Sequence, residues 1–211
     1  MAKLLIYGSG GFAREVKWLA EAAGYEVIAF VDDQHDKVGR IINGTPVIDF
    51  EHAREYVGEI PLSIAVGSPQ TREKLYLKAK EAGFTFATLI HPRVELSDSV
   101  RVGEGAVITA GNILTVNIAL GKQVQINLDC TVGHDVIMED FATLAPGVHI
   151  SGWVLIGRRA YIGTGAVVIN GIEGKPLVVG EDAVVGAGAV VTRSVPPRTT
   201  VVGVPARPLE K

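Results

Sequence analysis

Bulky aliphatic side chains return at every sixth residue from Ile90 to Val168, fourteen positions without an exception: Ile90, Leu96, Val102, Ile108, Leu114, Leu120, Ile126, Val132, Met138, Leu144, Ile150, Ile156, Ile162 and Val168. A period of six fits neither a helix nor a simple strand. Self-similarity at a fixed period marks a repeat architecture, and this one predicts a parallel β-helix of hexapeptides, three to a triangular coil. Four residues after the aliphatic the chain mostly places a small or β-branched residue, as at Val100, Ala106, Val124, Cys130, Val136, Ala142, Val148, Val154, Ala160 and Ala166. One residue after it stand small or turn-tolerant types (Gly103, Gly121, Asn127, Gly133, Ala145, Gly157, Gly163), which are the predicted corners. Such coils bury their apolar side only against their neighbours. The register breaks after Val168 and resumes at Val179, Val185 and Val191; the interval of eleven leaves five extra residues, from Gly171–Pro176, to bulge at a corner. A bulge with solvated backbone costs little.

The first ninety residues follow a different rhythm. Leu4–Tyr7 and Glu26–Val31 read as strands, separated by a helical pattern with Val16, Leu19, Ala20 and Ala23 on one face and a stop at Gly24. Leu62–Val66 is a further strand, Pro69 opens a helix that runs to Ala82-Gly83, and Phe84–Leu89 reads as a last strand. Alternating strands and helices imply a parallel sheet. The chain therefore divides into an α/β Rossmann-like domain over residues 1–88 and an all-β prism over 89–211.

The first strand runs into Gly8-x-Gly10-x-x-Ala13, with an acid at Asp32 after the second. This is the dinucleotide fingerprint in its Gly/Ala form: glycines let phosphate approach the amides at a helix N-terminus, and the acid binds a ribose hydroxyl. About 88 residues hold one mononucleotide half rather than the two that NAD spans. The size favours a single nucleotide, such as a nucleotide-sugar; NAD and a purely structural glycine turn are the alternatives. Arg14, on the first helical turn, reads either as a pyrophosphate contact or as a solvated helix-surface arginine.

Composition narrows the classes. Net charge −3 gives no reason to expect nucleic acid. No apolar run is long enough to span a membrane, and Lys3 leads directly into a strand pattern rather than a signal sequence, so a soluble cytoplasmic protein is expected. The single cysteine, Cys130, excludes an intrachain disulfide framework and falls at a small interior position of its hexad.

Polar residues out of keeping with the repeat are where chemistry is sought. Of the five histidines, His134 interrupts the prism with Asp135 beside it. An imidazole whose tautomer is fixed by a carboxylate is a general-base arrangement, with a surface hydrogen-bonded pair as the alternative. Adjacent strand residues point opposite ways, so the dyad requires a corner conformation, which Gly133 makes plausible. Zinc would need three ligands; His149 lies fifteen residues from His134 and no closer histidine follows, so no metal site is expected.

Five segments taken together carry a resemblance: Ile6-Tyr7-Gly8-Ser9-Gly10-Gly11, Phe30-Val31-Asp32-Asp33, Ile64-Ala65-Val66-Gly67, Gly133-His134-Asp135 and Val202-Gly203-Val204-Pro205-Ala206-Arg207. In order and over essentially the whole length, the chain resembles bacterial sugar acetyltransferases of the NeuD/PglD type, which serve glycan biosynthesis. The resemblance implies a left-handed β-helix, an exception to the right-handed crossover rule. It also implies a homotrimer with acetyl-CoA between adjacent prisms and a UDP- or GDP-linked amino sugar on the N-terminal domain. The specific expectation is N-acetylation of a UDP-4-amino-4,6-dideoxy sugar. O-acetylation of a sugar and a non-catalytic binding role are the alternatives.

Position by position, the resemblance makes His134 the base and Asp135, where the best-known members carry Glu, its partner. Asn127 matches an asparagine of that site, and Thr143 stands where the family often has a second, acetyl-contacting histidine. Ser9, Gly10, Asp32, Asp33 and Gly67 match nucleotide-sugar contacts, with Gly11 and Arg14 beside them. Thr164 and Ala187 fall where backbone meets the pantetheine arm. Arg207, and Lys175 of the bulge, are candidates for the CoA end. The implied reaction is direct transfer, the sugar amine attacking the thioester while His134 takes its proton.

Overall fold

The computed structural model describes residues 1–209, and the chain divides into two compact units after Pro92, four residues beyond the expected limit. In the first, β1 (Ala2–Tyr7), β2 (Tyr25–Val31), β4 (Thr45–Ile48) and β5 (Leu62–Ile64) form a parallel sheet. The short β3 (Ile41–Ile42) is antiparallel to β4, so the order across the sheet is β3-β4-β2-β1-β5. Helix α1 (Gly11–Ala22) buries Val16, Leu19 and Ala20 of the expected stripe and Ala13 in place of Ala23, which lies at the C-cap and is only half-buried; Gly24 ends the helix at φ +87°. A one-turn helix, α2 (Phe50–Ala53), is capped by Asp49. Ser68 caps α3 (Pro69–Glu81) by accepting from the Thr71 amide at 3.3 Å, with Pro69 in the first turn, where its missing N–H costs nothing. The expected strand over 84–89 is not continuous: Phe86 bridges Leu62, and only Leu89–Ile90 is extended enough to count as strand.

From β1 the sheet grows one way through β2 and β4, and then the other way to β5. The reversal between β1 and β5 is the switch point at which ligands enter open α/β sheets, outside the carboxyl ends of the strands.

The second unit is the prism. Strands of two or three residues stack in parallel on three faces: the first holds Ile113–Leu114, Thr131–Val132, His149–Ile150 and Val167–Val168, the second Ala119–Leu120, Ile137–Met138 and Val154–Ile156, the third Gln125–Ile126, Thr143–Leu144 and Tyr161–Ile162. Thr131 pairs with Ile113 below and His149 above, a step of 18 residues, so each coil takes three hexads. From Val167 to Val190 the step is 23, which locates the five extra residues. They lie between Val168 and Leu177, where Ile172 and Lys175 pair as a small hairpin.

The hexad's two interior positions behave as expected: Ile126, Val132, Leu144 and Ile156 are fully buried, and so are Val124, Cys130, Ala142 and Ala160. The corner does not fall where expected. From Val102 to Ile162 the left-handed residue is the third after the aliphatic, as at Gly105, Gly111, Asn117, Asp129, Asp135, Gly147 and Gly165, and even at Gln123, Phe141, Trp153 and Arg159. The glycine one place after the aliphatic meets another constraint: a Cβ at Gly163 would stand 2.7 Å from the amide of Ala187 in the next coil. A left-handed non-glycine residue costs ~1 kcal/mol. Each buried aliphatic contributes about 1.5–3 kcal/mol, so stacking outweighs corner strain.

The two kinds of glycine should respond differently to alanine. Gly163→Ala collides with backbone and should cost up to about 3 kcal/mol. Gly165→Ala meets nothing within 4 Å and bears only its φ of +68°, about 1 kcal/mol. Melting of the two variants side by side checks the order.

Candidate functional site

At the β1/β5 switch point lies a pocket of about 440 Å³, lined by Tyr7 and the Gly8–Phe12 turn, Val31–Gln34, Lys37, Ala65–Gly67, Thr71 and Leu75. The structure thus brings together Ser9, Gly10, Gly11, Asp32, Asp33 and Gly67. Gly8, at φ +117°, passes so close to β5 that a Cβ would lie 2.8 Å from the Ala65 carbonyl oxygen. Gly10 has no such reason: its φ is −78° and a Cβ there would meet nothing within 4 Å. It caps α1 with no side-chain hydrogen bond, and the first turn carries no acid, so the positive end of the helix is left uncovered at the pocket.

Both acids are held from several sides. Asp32 is buried and accepts from the Ser9 hydroxyl, from the Gln34 amide at 3.0 Å and from Lys37 Nζ at 3.2 Å. Burial by itself pushes this carboxyl up, but the Ser9, Gln34 and Lys37 donors outweigh it and hold it below the ordinary carboxylate value. Asp32 therefore ties the Gly8–Gly11 turn to Lys37. Asp33 is more open, and accepts from the Tyr7 hydroxyl and from Lys78 Nζ, each at 2.8 Å. Burial, then the bond to Asp33, pushes the Tyr7 phenol far up, so it remains a donor.

Behind Gly67 the Arg72 side chain is completely buried and donates to the Val66 carbonyl at 2.9 Å and to that of Gly67 at 3.4 Å. Burial pushes its guanidinium down to about 9, which still leaves it cationic at neutral pH. Its pattern in the sequence is that of any helix arginine, so nothing marked it. Arg14 does not line this pocket. It reaches back beside Gly11, over a separate shallow depression with Glu15, Trp18 and Asn43.

In the prism, His134 and Asp135 occupy the edge between the first and second faces. Asp135 itself takes the left-handed conformation, φ 58°, that makes the dyad possible. Gly133, expected to supply it, is instead pressed against the next coil, 2.8 Å from Gly152 N if it bore a Cβ. His134 Nδ1 lies 2.8 Å from Asp135 Oδ2, while Nε2 has no hydrogen-bond partner among the described residues and the ring is half exposed. A carboxylate on Nδ1 fixes the proton there and makes Nε2 the acceptor. The Trp153 ring stands edge-on to the imidazole, 6.1 Å between centroids. Gly152 lies directly above the ring, where a Cβ would overlap Nε2 and Cε1.

The other expected positions are elsewhere on the prism. Asn127, Thr164 and Ala187 share the edge between the third and first faces, Asn127 donating to the Leu144 carbonyl at 3.0 Å and Thr164 accepting from Gly188 N at 2.8 Å. Thr143 is buried on the third face, which lies opposite the edge that carries His134. Arg207 is exposed on the short antiparallel Arg207–Pro208 strand. Within one chain, none of these is beside the dyad. The bulge is: it follows Gly152 and Trp153 on the same edge, with Gly171 N bonded to Gly152 O at 3.0 Å.

Gly152→Ala should test the placement of the ring. The colliding partner is the movable imidazole, not backbone, so the fold should hold with little change in melting; a displacement of about 1 Å should lower turnover at least tenfold where this ring takes part in the reaction.

Residues 3–79 match the family described as the PglD N-terminal domain. The GDP-perosamine N-acetyltransferase of Escherichia coli O157:H7 is 31% identical over 186 residues, which cover 82% of this chain and 81% of that protein. A mutant of perosamine N-acetyltransferase from Caulobacter crescentus, solved with CoA and GDP-perosamine, superposes with a TM-score of 0.91 at 34% identity, over 100% of this chain and 98% of that one. The acetyltransferase domain of PglB from Neisseria gonorrhoeae FA1090, solved with acetyl coenzyme A, gives 0.89 at 34% identity over 98% of each chain. The prism is accordingly of the left-handed kind. Fold and relatives agree, and the chain belongs to the NeuD/PglD-type bacterial sugar acetyltransferases.

Proposed function

We propose that the protein transfers the acetyl group of acetyl-CoA to the amine of a nucleotide-linked amino sugar, with His134 as the base. The observation that carries this reading is the dyad: an imidazole anchored through Nδ1 to Asp135, with Nε2 open on a prism edge. The amine nitrogen attacks the thioester carbonyl, a C–N bond forms, and the C–S bond breaks. The amine proton passes to Nε2, and from there to the departing CoA sulfur. The imidazolium formed meanwhile faces Asp135, which balances its charge. No covalent enzyme intermediate is required, and the one cysteine supports none: Cys130 is buried, and burial pushes its thiol up to about 11.

The pocket at the switch point supports a nucleoside diphosphate sugar. The uncovered N-terminus of α1 and Lys37 suit the diphosphate, and the room at Gly10 admits it close to the backbone. GDP-linked amino sugars are the first acceptors to try, ahead of the UDP-linked sugar expected from sequence, because the Escherichia coli and Caulobacter relatives are named for GDP-perosamine. A homotrimer would join what one chain keeps apart, setting the Asn127–Thr164–Ala187 edge of one prism against the His134 edge of the next. The reading is of a soluble cytoplasmic enzyme, and no helix among the described residues is long and apolar enough to cross a membrane.

His134→Ala should lower CoA thiol release with a GDP- or UDP-linked amino sugar by ~10²–10⁴-fold. Binding of the nucleotide-sugar and the mass of the assembly should stay as in wild type. Undiminished thiol release in the variant would remove His134 from the mechanism.

A further inference from the structure

Residues eighteen apart on this prism lie one above the other, and the residue under Asp135 is Asn117. Its Nδ2 donates to Asp135 Oδ1 at 3.2 Å, while Asp135 Oδ2 faces His134. Asn117 is in turn fixed from the coil below, where its backbone N–H donates to Ser99 Oγ at 2.9 Å, and Ser99 Oγ lies 2.7 Å from Ser97 Oγ. Asn117 and Asp135 both take the left-handed φ, 57° and 58°, which aims the two side chains along the same edge. The backbone also ties the rungs together, Asp135 N donating to the Val116 carbonyl at 3.1 Å.

We propose that Asn117 is a positioning residue for the transfer reaction, holding the Asp135 carboxylate in the one rotation that presents Oδ2 to His134 Nδ1. This rests on His134 being the base. An aspartate has little to fix its terminal torsion by itself, since that rotation is broad and nearly two-fold. With one oxygen held by Asn117, the other can lie only toward the imidazole. The amide also donates without bringing charge, so Asp135 keeps its full negative charge for the imidazolium. No ion pair among the described residues other than that with His134 involves Asp135. The further titratable groups on this edge are Asp98, two rungs below His134, Glu173 and Lys175 in the bulge above, and Arg193 one coil beyond it; on the first face, His149 Nδ1 is engaged by Thr131 Oγ1 at 2.9 Å.

Two variants separate positioning from mere structure. Asn117→Gly accepts the φ of 57° freely and removes only the amide, so kcat should fall about tenfold with both KM values unchanged. Asn117→Asp places a second carboxylate beside Asp135, which favours the imidazolium, so the His134 titration should move upward by about half a pH unit or more. That titration is read by NMR on histidine-labelled protein, assigned by the signal lost in His134→Ala. It needs no substrate, so it stands or falls separately from the acetyl-transfer reading. Wild-type kcat in Asn117→Gly, a change confined to KM, or an unmoved His134 titration in Asn117→Asp would each overturn the proposal.

Discussion

Everything in the second unit depends on one constraint, that each coil must lie in register on the coil beneath it. An isolated hexad cannot bury its aliphatic residue; only a neighbour at the same phase can. The repeated step of 18 residues satisfies this on all three faces, and where it changes to 23 the excess is expelled at an edge rather than absorbed in a face. The same register turns sequence distance into spatial contact. Asn117, Asp135 and Trp153 become one column, and Val116, His134 and Gly152 the column beside it. The dyad keeps this register, with Asp135 at the regular left-handed corner, and the coils on either side hold it still.

The register also explains which parts of the molecule could be foreseen. Aliphatic residues at six-residue spacing leave no other fold, so the prism, its broken register and its interior were legible. The corner was misplaced because two different demands both select small residues. Close stacking selects Gly163, and left-handed backbone selects Gly165, and only the structure tells them apart. Gly152 above the imidazole and Asn117 below the carboxylate were within reach, had eighteen been added to His134 and subtracted from Asp135. The Asn43-Gly44 turn between β3 and β4, with φ 47° and 77°, carried the usual hairpin signal as well. Arg72, Lys37 and Lys78 carried none. Their partners, the Val66 carbonyl, Asp32 and Asp33, are chosen by tertiary approach that periodicity does not encode.

The two units divide the chemistry by kind. In the first, a sheet reversal opens a pocket, a glycine turn and a bare helix end border it, and a web of donors keeps two acids in place. In the second, a rigid edge holds the imidazole proposed as the base, anchored through Nδ1 and half exposed. Sequence resemblance placed Asn127, Thr143, Thr164 and Ala187 in the same site as His134, and a single chain keeps them on another edge or face. The contrast is what makes assembly part of the functional proposal.

The most direct test of the account is a crystal structure of the protein with CoA and a nucleotide-linked amino sugar bound together. The account predicts the sugar nitrogen within hydrogen-bond reach of His134 Nε2, Asp135 still on Nδ1, and the diphosphate at the N-terminus of α1. A sugar amine placed away from His134, against a different base, would contradict it.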